Sequence, residues 1–143
     1  MNLIGLVLIA ISTVVVISDI KERKISNRLN LVVLVCCLLI AYEYENIELH
    51  ILRSTLVLAV GLVIFSLGII GAGDVKLLSI YALIIDDQYW ALSLATVGFI
   101  GGITALIILI KSIIVKSDTE KGVPYGIPIV VSSLFFIHLS ALS

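Results

Sequence analysis

Two carboxylates stand where a mostly apolar chain has least use for them. Asp74 lies in Gly71-Ala72-Gly73-Asp74-Val75-Lys76, between apolar runs covering 52–70 and 77–85, and Asp19 closes an apolar run that starts at Asn2. A charged group near the bilayer core costs several kcal/mol, and such residues usually face a wet cavity or a partner within the helix bundle. Two carboxylates brought close cannot both ionise easily, so they share a proton; one then acts as base on a water while the other acts as acid toward a carbonyl. This is hydrolytic chemistry that needs neither metal nor cofactor. Gly71 and Gly73 have no Cβ, permit an unwound backbone and let another chain come close. Two plainer readings compete: a cytoplasmic turn that happens to carry Asp and Lys, and a proton- or cation-coupled transporter in which Asp19 and Asp74 are relay groups.

The elements that must position these acids follow from hydropathy. The chain has 143 residues, is 61% hydrophobic and has a mean hydropathy of +1.27, against the roughly 45–50% apolar content of soluble domains. Apolar runs recur along its whole length, which predicts an all-α polytopic protein of six transmembrane helices, one bundle over 1–143. The expected spans are Asn2 to Ser18 and on past Asp19, Leu29 to Tyr42, Leu52 to Ile70, Val75 to Ile85, Tyr89 to Ile110, and a last one ending near Leu142. Met1 to Ser18 lacks a basic start and runs into Ser-Asp and a basic stretch, so it reads as a retained first span and not as a signal peptide. Either Ser26 or Asn27 can cap the second helix, and Tyr89 and Trp90 are placed as interfacial anchors.

The cations set the orientation. Lys21, Arg23, Lys24, Arg28, Lys76, Lys111, Lys116 and Lys121 fall in the first, third and fifth connections, and Arg53 alone falls on the other side, which accounts for all 9 basic residues. The positive-inside rule puts those three connections in the cytoplasm and both termini outside. Asp19 and Asp74 then face the same side. Val75 to Ile85 would rise only about 16 Å as a helix. If it failed to cross, the Lys-bearing fifth connection would be exported, so span four is expected to cross, extended toward Trp90 and with its start recessed from the cytoplasmic surface.

Other residues that could do chemistry read as structural. Cys36 and Cys37 are adjacent in an apolar run and would point to different faces of a helix, which suits burial better than a metal site. His50 and His138 lack a metal-binding pattern, and no Gly-x-Ser-x-Gly elbow or Ser/Lys pattern marks a nucleophile. Gly98 and Gly102 form a Gly-x-x-x-Gly pattern that predicts close helix packing, either within the bundle or between protomers of a homo-oligomer.

Taken together, Asp19 followed by Ile25-Ser26-Asn27, then Gly71-Ala72-Gly73-Asp74-Val75-Lys76-Leu77-Leu78, then Pro124-Tyr125-Gly126, resemble the type IV prepilin peptidase family of Gly-x-Gly-Asp intramembrane aspartyl proteases. The resemblance implies an inner (cytoplasmic) membrane, multi-pass enzyme that removes the short leader of a prepilin or pseudopilin at the cytoplasmic face. It implies Asp19 and Asp74 as the catalytic pair, with Gly71, Gly73, Lys76, Pro124, Tyr125 and Gly126 binding substrate or shaping the site. A prepilin and membrane lipid are the expected partners, and nucleic acid is not. Ser26 stands where the family commonly has Pro, which touches the rigidity of the loop. The paired Cys-x-x-Cys motifs of the larger, methylating members are missing, so the chain looks like the short, peptidase-only type. A non-catalytic subunit that only packs against pilins is a third reading, and it requires both acids to be replaceable.

Overall fold

A computed structural model of the chain describes residues 3–115 and 125–142. Among these residues the protein is all helix: α1 Leu3–Glu22, α2 Asn27–Glu43, α3 Ile51–Ser66, α4 Ala72–Ala82, α5 Asp87–Val115 and α6 Gly126–Ser140. Two of these, Leu3–Glu22 and the Asp87–Lys111 part of α5, are long and apolar enough to cross a membrane, and α3 and α6 are shorter apolar helices.

Local chemistry explains the boundaries. Arg23 adopts φ 54° and closes α1 by donating its N–H to the Asp19 carbonyl at 3.0 Å. Of the two expected caps for α2, Ser26 takes the role, its hydroxyl accepting from Leu29 N–H at 3.2 Å. Gly68, at φ 75°, supplies the left-handed residue that ends α3.

Helix α4 is the hub. It packs on α2, α3 and α6, and Leu77, Tyr81, Ala82, Ile84 and Ile85 of α4 and the turn after it are fully buried. Its Tyr81 hydroxyl lies 2.7 Å from the Ser12 hydroxyl of α1, which satisfies two polar groups inside an otherwise apolar core. With 11 residues it rises only about 16 Å. The expected extension toward Trp90 does not occur, because the helix stops at Ala82 and a turn leads directly into α5. The stop has a physical cause: α3 supplies donors for the carbonyls that a longer helix would have used. Arg53 donates from Nε to the Ala82 carbonyl at 3.0 Å and from Nη2 to that of Ile85, and the His50 N–H reaches the Leu83 carbonyl at 2.8 Å.

Hydrogen bonds between elements also show how the helices run. One end gathers the C-terminus of α1 with the N-termini of α2, α4 and α6, through Asn30 to Gly73 and Gly126 to Asp19. The other end gathers the N-termini of α3 and α5 with the C-termini of α4 and α6, where the Asp86 N–H donates to the Ser140 hydroxyl at 2.9 Å. Neighbours in sequence therefore alternate in direction. The outer surface is strongly apolar: α3 buries none of its residues, and only 11% of the most apolar window of α5 is buried.

Candidate functional site

Asp19 and Asp74, far apart in sequence, line one cavity of about 490 Å³. Its walls are the end of α1 with the α1–α2 loop, Asp19 and Glu22 through Asn27, and the start of α4 with its preceding cap, Gly71 through Asp74. Both carboxylates are buried, at 4% and 8% exposure, in a cavity open to the outside.

Each acid is held by close backbone approach. Asp19 projects from the last turn of α1 toward the start of α6, where the Gly126 N–H donates to its Oδ2 at 2.9 Å. A Cβ at Gly126 would lie 2.6 Å from that oxygen, so only glycine allows the two segments to meet this way. Asp74 sits in the first turn of α4, and a Cβ at Gly71 would lie 2.9 Å from its Oδ2. Gly73 makes room for the α1–α2 loop, since a Cβ there would lie 2.9 Å from Ile25 Cβ and 3.0 Å from the Ile25 carbonyl oxygen. The close approach that glycine permits at 73 is thus used by the chain's own loop.

The other sequence candidates divide. Lys76 does not line the cavity; its Nζ donates to Asn27 Oδ1 at 2.8 Å and ties α4 to the first turn of α2. Tyr125 is half-buried, lies against Gly101 and lines a different, apolar groove. Pro124 lies outside the described residues. Gly98 and Gly102 face open space, so within the described chain they do not make the expected close contact; Gly101 does, with a Cβ there falling 3.3 Å from Tyr125 Cε1.

Asn30 went unnoticed in the sequence. It is buried, its Nδ2 donates to the Gly73 carbonyl at 3.2 Å, and it holds the glycine-rich segment beside the α1–α2 loop. The available signal was a lone amide one turn into an apolar span, which must find a partner when buried.

Among the described residues, no three His, Cys, Asp or Glu side chains gather so as to hold a metal ion. The arrangement offers two buried carboxylates in a polar cavity, one anchored by a backbone N–H and the other with its Oδ1 free of any hydrogen-bond partner. Such a pair can take a proton from water and deliver one to a substrate.

No curated protein and no solved structure matches the chain. The model of the type IV leader peptidase family matches residues 6–110, a stretch that includes Asp19 and all of Gly71 to Lys76 but stops before Tyr125 and α6. On that match, which takes in both carboxylates of the cavity, the chain belongs to the type IV leader peptidase family.

Proposed function

We propose that this chain is an aspartic endopeptidase that removes the leader peptide of type IV prepilins or pseudopilins at the cytoplasmic face of the inner membrane. The observation that carries the reading is the meeting of Asp19 and Asp74 in one open cavity. Residues 1–143 act as one membrane unit of six spans, with both termini outside. The alternation of helix direction supports this topology, as does the clustering of Lys21, Arg23, Lys24 and Lys76 at the end of the bundle where the acids lie. The short α4 then lies within the thickness of the bilayer: the turn after it is buried in protein, and its start lines the polar cavity, the two settings in which irregular backbone is tolerated at that depth.

In the reaction, one carboxyl of the pair is ionised and the other protonated. The ionised one takes a proton from a water as its oxygen bonds to the scissile carbonyl carbon, and the protonated one gives its proton to the carbonyl oxygen. On collapse the carboxyl that is now ionised takes a proton from a hydroxyl of the tetrahedral species, the C–N bond breaks, and the other carboxyl gives the proton it took from water to the leaving nitrogen, which becomes the new amino terminus. The Gly126 N–H keeps Asp19 oriented through the cycle. Membership of a peptidase family does not favour the transporter reading.

The test is co-expression of the full chain with prepilins of the same cell, with the mature N-terminus identified by mass spectrometry. Asp19→Asn and Asp74→Asn each abolish cleavage, because Asn keeps the shape but cannot exchange the proton. The double variant is little worse than either single one, since the two groups act as a unit. Folded, membrane-inserted Asn variants that still cut the same bond would sink the proposal.

A further inference from the structure

Asp74 belongs to two cavities of opposite character. On one side is the polar cavity shared with Asp19, and on the other an open groove of about 640 Å³ lined almost wholly by apolar side chains. Helix α3 packs on α4 and helix α5 packs on α6, and the groove runs between α3 and α5 with α4 as its floor. Leu56 and Val60 form one wall, Leu94 and Gly98 the other, and Val75 and Leu78 the base. On α3 the lining runs from Leu52 to Ile64, about 18 Å of helix. Leu56 and Val60 are 56% and 58% exposed, so the chain's own packing does not use this face.

A bond cut beside Asp74 has one flank on each side of that residue. We infer that the groove between α3 and α5 receives an apolar helix of the substrate on one side of the scissile bond, while the flank on the other side lies in the polar cavity along the α1–α2 loop. This rests on the peptidase reading above and adds to it the place and direction of the substrate: the helix starts at Asp74 and runs toward Arg53 and Trp90. Lipid tails are as apolar as the groove, so the helix gains little from leaving lipid and is held by shape. Gly98 is where shape matters most. It lines the groove and has no atom within 4 Å of where its Cβ would stand, which lets a docked helix come close to α5.

That geometry supplies the test. Gly98→Leu adds bulk to the groove without meeting the chain's own atoms, and Gly102→Leu adds the same bulk at a position that also faces open space but does not line the groove. Cleavage is measured on the prepilin that the wild-type chain processes, and on a peptide of its leader and first few mature residues. Gly98→Leu lowers the ratio of full-length to peptide cleavage about tenfold, and Gly102→Leu leaves it as in wild type. A photoreactive residue placed at Val60 or Leu94 in the Asp19→Asn chain crosslinks to the apolar helix of the prepilin. Equal losses from both leucine variants, or crosslinks only to lipid or to a second copy of the chain, overturn the groove assignment. Wild-type chain that cuts no prepilin overturns the peptidase reading instead, so the two failures are told apart.

Discussion

The two ends of α4 treat buried polarity in opposite ways. At its C-terminal end the Arg53 side chain serves the carbonyls of Ala82 and Ile85, pairs with Asp87 at 3.0 Å and lies over the Trp90 ring at 5.1 Å; the His50 N–H takes the Leu83 carbonyl. At its N-terminal end Asp19 is held by one backbone N–H, and among the described residues Asp74 Oδ1 and Asn30 Oδ1 are buried with no hydrogen-bond partner. Leaving a buried acceptor unpaired costs about 1–3 kcal/mol, so the second arrangement is the less stable one. The charge of Arg53 is taken up by its neighbours, with Nη1 held by the ion pair to Asp87 in place of a hydrogen bond, whereas the acids of the proposed dyad keep bonding capacity for substrate and water. Function is often located where a structure departs from full satisfaction in this way.

The contrast can be broken at its strong end first. Arg53→Met keeps most of the side chain's volume but strips two buried carbonyls of their donors, and lowers stability by about 3 kcal/mol, read as a drop in the thermal midpoint in detergent. An unchanged midpoint would mean that this end is no more firmly tied than the other. Next comes Gly126→Ala, whose methyl would lie 2.6 Å from Asp19 Oδ2 and must push the carboxylate aside. Misplacing a reacting group by about 1 Å costs on the order of 100-fold in rate, so cleavage falls by that much. Near-normal cleavage would show that Asp19 does not need this anchor. The smallest effect is expected from Asp87→Asn. Its side chain is 79% exposed, so its ion pair with Arg53 contributes under about 1 kcal/mol. A larger fall in the midpoint would move the stabilising role from the carbonyl bonds to the ion pair.

Much of this arrangement was legible in the sequence, because hydropathy and cation distribution are strong signals. They placed six helical segments and put Asp19 and Asp74 at the same end, where the structure has them lining one cavity. What stayed hidden depended on partners from elsewhere in the chain. The run Leu83-Ile84-Ile85 is as apolar as a helix continuation would be, and the helix ends before it where donors from Arg53 and His50 take its carbonyls and the Ser140 hydroxyl takes the Asp86 N–H. The Gly-x-x-x-Gly spacing drew attention to Gly98 and Gly102, but the rotation of α5 in the bundle turns Gly101 toward Tyr125 instead. The link between Asn30 and the Gly73 carbonyl joins residues on separate helices, and no local pattern announces it.

The bond between Gly126 and Asp19 also bears on how the protein is made. Asp19 is translated 107 residues before the N–H that fixes it, which begins the sixth helix. Helices α1 and α6 pack together, and the Asp19 side of the cavity rests on a hydrogen bond that spans 107 residues of sequence. Contacts between distant segments form late, because a long loop must close first. A nascent chain inserted only as far as α5 therefore already contains both acids but lacks the clasp on the first of them. On the peptidase reading, competence to cut thus arrives with the sixth helix, after the ribosome has passed every residue of the glycine-rich segment.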